Sequence, residues 1–183
     1  MNISHLDHLV LTVADLEATI DFYTRVLGLR LVKKTVNQDD VSAYHLFYAD
    51  GAGTPGTDIT FFDWPAARER RGTRSISRTG LRVAEASLDY WAARLRDAGL
   101  AAGAPVLLDG RGSVDFEDPE GQRLRLIADD GGPAHPWDRS AVPADHQIRG
   151  LGPITISVPD LRPTQTVLTQ VMGMHQTRSY RSE

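Results

Sequence analysis

Two histidines lie in strand-like segments and have side chains suited to metal binding or acid–base chemistry. His8 lies within LDHLVLTV (residues 6–13), and His45 lies within AYHLFYAD (residues 43–50). Imidazole is the commonest metal ligand near neutral pH. Side chains alternate along a strand, so if residues 9, 11 and 13 pack against a helix, His8 faces an open side. The alternative is a buried, hydrogen-bonded histidine with a purely structural role.

His45 allows two interpretations of the same kind. Alternation in its segment separates Tyr44, Leu46 and Tyr48 from the set that contains His45. The first set has the more core-like composition, since its members are aromatic or aliphatic. His45 is therefore predicted to face either an open, cup-like surface or solvent.

Composition and motifs exclude several classes of function. The 183 residues include no cysteine, which excludes disulfides, thiolate metal sites and cysteine nucleophiles. The net charge of -4 gives no reason to expect a nucleic-acid partner, which usually requires a basic face. The chain contains no HExxH motif, nucleophile elbow or phosphate loop. We expect no membrane span and no signal peptide, and hence a cytoplasmic protein.

The first module, residues 1–66, is predicted to fold in the order strand, helix, strand, strand, strand. Asp15 supplies a side-chain oxygen for the N-cap of the helix, and Gly28 ends it as the residue that accepts a left-handed conformation. Three strand-like runs follow before residue 66, and the glycine-rich segment between the last two is predicted to be a turn.

The same order of elements repeats along the chain. Residues 73–129 form a second predicted module, in which Ser87 is a candidate helix N-cap. Residues 130–146 are rich in proline and are predicted to be a linker. Residues 147–183 begin a third module, predicted to contain a strand and a helix.

An internal match supports the third module. At a constant offset of 145 residues, Asp15 matches Asp160 and Gly28 matches Gly173. The predicted fold class is therefore α+β, with tandem βαβββ modules that form a half-barrel cup. Inward-facing polar residues of such a cup can meet a metal ion or ligand.

Four segments together resemble a known family: LDHLVLTVADLEATIDFYTRVLGLRLVKKTVN, YHLFYAD, GTPGTDITFFDWP and VPADHQIRGLG. They are similar to ring-cleaving, hydroquinone-type extradiol dioxygenases of the glyoxalase/bleomycin-resistance/dioxygenase (vicinal oxygen chelate) superfamily. The resemblance implies four modules, of which this chain represents the N-terminal portion. It also implies Fe(II) or Mn(II) held by two histidines and a glutamate, with open positions for a small aromatic substrate and O₂.

The resemblance transfers one metal ligand to this chain. His8 matches the family histidine of the first strand, whereas the second histidine and the glutamate belong to a fourth module. The equivalent positions of the second module are Arg78 and Arg125, and arginine stays protonated and cannot ligate a metal ion. In the third module the equivalent place is occupied by Gly152 and Pro153.

Two further residues are expected near a metal or substrate. Asp7 stands where the family often has a second histidine, and its carboxylate could accept a hydrogen bond from an imidazole or a substrate hydroxyl. His45 is the other candidate for a supporting or substrate-binding role. The site prediction is therefore His8 as a metal ligand, with Asp7 and His45 beside the metal or the substrate.

Two functions remain open from the sequence. The first is a metal-dependent ring-cleaving dioxygenase for a hydroquinone- or catechol-like compound, incomplete in this chain because two of three ligands are missing. A longer parent chain is expected to continue into a fourth module with the missing histidine and glutamate. The alternative is a non-catalytic protein that binds small molecules. The exposed edge and apolar helix face of residues 147–183 also suggest a homodimer or docking on the first module.

Overall fold

The structure, a computed structural model, describes residues 6–64, 67 and 70–180. Residues 1–5 and 65–66 of the first predicted module, residues 68–69 and residues 181–183 lie outside this range. The order of elements agrees with the prediction of repeated βαβββ units, and the α+β fold class is confirmed.

The first unit is a four-stranded sheet with one helix. Helix α1 continues into a π-helical turn, and the sheet has the order β1-β4-β3-β2. Strands β1 and β4 are parallel, and the other neighbouring pairs are antiparallel. The elements are β1 (His8–Val13), α1 (Leu16–Asp21) with its π turn (Phe22–Val26), β2 (Arg30–Val36), β3 (Tyr44–Ala49) and β4 (Asp58–Asp63).

The second unit has the same internal arrangement and gains a strand from the third. Its sheet has the order β6-β7-β8-β5-β9, in which β5 is parallel to β8 and antiparallel to β9. The start of the third unit thus pairs with the second unit, and it also contacts the first unit, because the backbone N–H of Leu151 donates a 2.9 Å hydrogen bond to the carbonyl of Gly56. The elements are β5 (Ser75–Val83), a 3₁₀ turn (Glu85–Ser87), α2 (Leu88–Asp97), β6 (Val106–Leu108), β7 (Arg111–Glu117), β8 (Arg123–Ala128) and β9 (Gly150–Ser157).

The third unit repeats the first at the predicted offset. After β9 it contains α3 (Leu161–Thr166) and a π turn at Val167–Val171. Asp15 accepts a hydrogen bond from the backbone N–H of Ala18, and Asp160 accepts one from Arg162. Gly28 and Gly173 have φ angles of 73° and 68°, the left-handed conformation expected after a helix. The repeat extends to the π turn, which sequence reasoning did not anticipate.

The helices of the first two units contribute to one continuous apolar core. Tyr23 from the π turn and Trp91 from α2 are fully buried within it. Burying each such side chain stabilises the fold by roughly 1.5–3 kcal/mol. Because residues of both units belong to the same cluster, each unit covers part of the other's apolar surface. None of the helices in the described ranges is long and apolar enough to cross a membrane.

The predicted linker is irregular in conformation but packed against both units. Val142 is buried, and the Ser140 hydroxyl donates a 2.7 Å hydrogen bond to the carbonyl of Gly28. The His146 ring stacks on Tyr90 with centroids 4.2 Å apart. Its Nδ1 also lies 3.0 Å from the Ser87 hydroxyl. The expectation that Ser87 caps α2 is wrong, since this hydroxyl contacts the linker instead.

Candidate functional site

The outer face of the first sheet lies on the side opposite the buried core, and we call it the first face. On β1, Leu9 and Val13 are buried, whereas His8, Val10 and Thr12 are exposed. This pattern confirms the predicted alternation. The strand register adds side chains of the neighbouring strands to the same face, namely Asp58, Thr60 and Phe62 of β4 and His45 and Phe47 of β3.

His8 is held by its neighbour in sequence. Its Nδ1 lies 2.9 Å from Oδ2 of Asp7, and both side chains are exposed. When Nδ1–H donates to this carboxylate, Nε2 keeps its lone pair and points away from Asp7. The pair therefore presents an oriented imidazole that can accept a proton or bind a cation.

Asp58 is the cross-strand partner of His8 on β4. Its Oδ1 is buried and has no hydrogen-bond partner among the described residues. Burial raises the pKa of this carboxyl, and the positive charge of His8 offsets part of the rise while Asp7 adds to it. Two carboxyl groups, Asp7 and Asp58, therefore lie within electrostatic reach of the same imidazole.

His45 lies on the same face and is enclosed by two aromatic rings. Its ring centroid is 4.0 Å from that of Phe47 and 4.0 Å from that of Phe62. Within the described part of the chain its Nε2 is buried without a hydrogen-bond partner. Desolvation, followed by the positive charges of Lys33 and His8, lowers the pKa of His45 below 6.5. The ring is therefore a neutral imidazole at pH 7.

The described residues do not form a complete metal site. No group of three or more histidine, aspartate or glutamate side chains in residues 6–64, 67 and 70–180 is placed to hold a metal ion. His8 is one imidazole on an open face, and a 2-His-1-carboxylate site needs two more ligands. The donor set therefore does not fit Fe(II) or Mn(II) without ligands from elsewhere.

The equivalent positions of the second sheet are occupied by an ion-pair network. Arg125 donates from Nε and Nη2 to the two carboxylate oxygens of Asp115, at 2.5 and 2.8 Å. The Arg78 guanidinium lies 3.4 Å from the same carboxylate. Sequence comparison had placed these two arginines at ligand positions, and the structure shows them engaged with Asp115.

A cleft of about 540 Å³ separates β1 from the second unit. Val10, Trp64 and Ile76 give it an apolar part, while Arg123 and Glu120 line its polar side. Its apolar side chains are each partly exposed to solvent. Since Val10 also belongs to the first face, the cleft reaches the region of His8.

The DPEG turn, residues 118–121, lines part of this cleft. Oε1 of Glu120 accepts hydrogen bonds from the backbone N–H groups of Ala14 (3.0 Å) and Asp15 (2.7 Å). Asp118 is buried and accepts a hydrogen bond from the Tyr23 hydroxyl. No local sequence signal marks the contact of these carboxylates with the first unit.

Repeated βαβββ units, each with a small mixed sheet, define the class of fold to which the chain belongs. The chain belongs to the Glyoxalase/Bleomycin resistance protein/Dioxygenase superfamily, whose family model matches residues 5–126. This confirms the superfamily that the sequence segments suggested.

Relatives named as dioxygenases cover nearly the whole chain. It is 42% identical over 177 residues to MhqA of Bacillus subtilis (strain 168), named a ring-cleaving dioxygenase. It is 29% identical over 151 residues to the chlorohydroquinone/hydroquinone 1,2-dioxygenase of Sphingobium indicum. These matches cover 94% and 80% of this chain, but 56% and 47% of the relatives.

A solved structure also matches nearly the whole of this chain and only part of its own length. A protein described as a dioxygenase from Bacillus subtilis subsp. subtilis str. 168 matches with a TM-score of 0.91 and 32% identity. The match covers 98% of this chain and 58% of that chain. The chain therefore spans about half the length of the relatives it matches.

Proposed function

We propose that the protein is a metal-dependent ring-cleaving dioxygenase that acts with O₂ on a hydroquinone- or catechol-like aromatic compound. The observation that carries the proposal is the position of His8, exposed on the open face of β1 and oriented by Asp7. The names of the relatives, which include a hydroquinone 1,2-dioxygenase, support the reaction and substrate class.

The proposal assigns roles to three polar groups of the first face. His8 would supply Nε2 as one ligand of Fe(II) or Mn(II), and Asp7 would hold its ring in that orientation. His45, neutral and stacked between two phenylalanines, has a supporting role on this face, because its buried Nε2 is closed to direct contact with a substrate.

The proposal also requires ligands that residues 6–64, 67 and 70–180 do not provide. The equivalent positions of the second sheet are Arg78 and Arg125, which stay protonated. A histidine and a glutamate must therefore come from another segment of the protein, such as a fourth module. The relatives are long enough to contain such a module, since this chain covers 55–57% of three of them.

The test measures metal content and hydroquinone-dependent O₂ uptake of the purified protein that contains this chain. We expect Fe or Mn near one atom per chain, and uptake that His8→Ala abolishes. The control is His175→Ala, because His175 is exposed on the third unit. Undiminished O₂ uptake in the His8 variant, or no uptake after loading with Fe(II) or Mn(II), would contradict the proposal.

One observation favours the alternative, a non-catalytic binding protein. The described residues contain no three-donor group, while the cleft beside β1 has a partly apolar lining from Val10, Trp64 and Ile76. In that case an aromatic compound binds without metal or turnover. Calorimetry with hydroquinone on metal-stripped protein separates the two, since binding that is unaffected by metal removal and leads to no O₂ uptake supports the alternative.

Self-association and a cytoplasmic location stay predictions. On the third unit, Leu161, Val167 and Val171 are exposed apolar side chains, with Val171 74% exposed. A second copy of the chain, or another part of the same protein, would cover this surface. Analytical ultracentrifugation over a range of concentrations tests the dimer.

A further inference from the structure

The outer face of the second sheet, which we call the second face, collects charged side chains from three strands and the segment before them. The register pairs Asp115 with Arg125 and Glu117 with Arg123 across β7 and β8, and Arg78 extends from the adjacent β5. Arg71 precedes β5 and reaches Glu117. In this cluster of described residues four guanidinium groups meet two carboxylates, which leaves a surplus of two positive charges, and Arg82 and Arg111 lie further along the same face.

Two of these guanidinium groups share one carboxylate. Arg125 binds Asp115 through two parallel hydrogen bonds, the geometry that matches a planar carboxylate to the guanidinium fork. Arg78 lies 3.4 Å from the same carboxylate and donates a hydrogen bond to the carbonyl of Leu124. Asp115 therefore balances one of these two positive charges, and not both.

Among the described residues, Arg123 is the arginine of this cluster that has no carboxylate bound to its guanidinium. Arg71 binds Glu117 at 2.6 Å, which occupies the carboxylate that lies opposite Arg123 across the strands. Arg123 is half-buried, and its guanidinium forms no hydrogen bond or close ion pair with any residue that the structure describes, although its positive charge helps the Arg71 hydrogen bond to lower the pKa of Glu117. Arg123 and Arg71 both line the cleft between the two units.

The surplus charge lies where water screens it poorly. The side chains of Arg78 and Arg125 are only 23% and 19% exposed. Burial, together with the positive charges of Arg125 and Arg123, lowers the pKa of Arg78 although Asp115 acts against it. Partly buried charges of one sign are costly unless a counter-charge joins them. Within the described part of the chain, the second face therefore carries more positive than negative charge and lacks a counter-anion.

We propose that the second face binds a small molecule through a carboxylate, which pairs with Arg123 beside Arg78. Guanidinium groups bind planar carboxylates through two parallel hydrogen bonds, and Asp115 already shows this geometry here. The bidentate pair of Arg125 with Asp115 shows that a carboxylate is accommodated on this face, and the planar fork of Arg123 suits a second planar carboxylate. This site is separate from the His8 face and does not depend on the proposed oxygenase chemistry.

The test uses the ¹⁵N-labelled 183-residue chain. Sodium acetate is added at an ionic strength held constant with sodium chloride, and the arginine Nε–Hε resonances are followed by NMR. We expect a saturable shift of the second-face arginines. Arg123→Gln raises the half-saturating acetate concentration about tenfold or more, as expected from one lost charge-assisted interaction. Arg123→Lys, which keeps the charge without the fork, gives an intermediate value.

Two matched variants complete the experiment. Arg96 is exposed on α2, and Arg96→Gln is expected to leave acetate binding unchanged. His8→Ala is also expected to leave it unchanged, which separates this site from the first face. The proposal is overturned by the absence of a saturable shift, by equal binding in Arg123→Gln, by loss of binding in His8→Ala, or by tighter binding of inorganic phosphate than of acetate. Because Arg123 has no hydrogen-bond or close ion-pair partner within the described ranges, its substitution is not expected to unfold the chain.

Discussion

The hydroxyl of Tyr23 donates a 3.0 Å hydrogen bond to Oδ2 of Asp118, which lies 95 residues further along the chain. Both groups are buried, so the bond joins the helical segment of the first unit to the turn of the second inside the core. Oδ1 of Asp118 accepts hydrogen bonds from the backbone N–H groups of Glu120 and Gln122. Burial still raises the pKa of this carboxyl, against the effect of these donors.

The first prediction concerns this bond. Tyr23→Phe removes the donor and leaves a buried carboxylate oxygen unsatisfied, which costs about 1–3 kcal/mol of unfolding free energy. Urea unfolding at pH 7 measures the change. Tyr180→Phe is the control, because Tyr180 is 59% exposed, and it is expected to have no effect. Equal stability of the two variants would show that the bond contributes nothing.

The second prediction concerns the protonation of His45. Desolvation and the nearby positive charges hold its folded pKa below the unfolded value of 6.5. Between these two values the unfolded chain binds more protons, so the stability contributed by this residue rises with pH and is lost on acidification. NMR titration of the imidazole resonances is expected to give a midpoint below 6.5. His45→Gln removes this part of the pH dependence, whereas His175→Gln does not.

The third prediction concerns the contact of Glu120 with the end of β1. Glu120→Ala leaves the backbone N–H groups of Ala14 and Asp15 without their acceptor and lowers the unfolding free energy by about 1 kcal/mol. Glu120→Gln keeps an oxygen in the same place and is expected to retain most of the stability. Thermal unfolding of the three proteins measures this order, and a glutamine variant as unstable as the alanine variant would contradict it.

The fourth prediction concerns the close approach of β9 to β5. The register of the two strands shifts between Thr79 and Leu81, and a Cβ at Gly80 would lie 2.6 Å from the carbonyl oxygen of Pro153. Gly80→Ala is therefore expected to loosen β9 and to speed amide hydrogen exchange in residues 150–157. Gly103→Ala is the control, since a Cβ there meets no atom within 4 Å. Unchanged exchange in the Gly80 variant would contradict the prediction.

Much of the fold follows from local sequence patterns. The strands, the helix of each unit and the caps at Asp15 and Asp160 agree with the sequence-based prediction because alternation, capping and helix-ending glycines are short-range signals. The exposed face of β1 was also predicted, which placed His8 correctly on the open side. The side of β3 that holds His45 stayed open, since alternation separates two faces without saying what covers either of them.

The remaining features depend on contacts between distant segments. The role of Glu120 was missed because a DPEG turn has the same sequence whether it faces solvent or another unit. Ser87 has the residue type of a helix cap, but the linker offers its hydroxyl a different partner. The charge surplus around Arg123 appears only when the register of β7 and β8 and the reach of Arg71 are known.

The antiparallel pairing of β5 with β9 has a consequence for synthesis on the ribosome. Strand β5 ends at Val83, and its partner begins only at Gly150, so the second unit leaves the ribosomal tunnel with one edge of β5 bare. Pairings between segments so far apart in sequence form slowly, and unpaired edges attract other chains during the delay. Chains released from the ribosome that end before residue 150 are therefore expected to need chaperone protection that released chains extending beyond Ser157 no longer require.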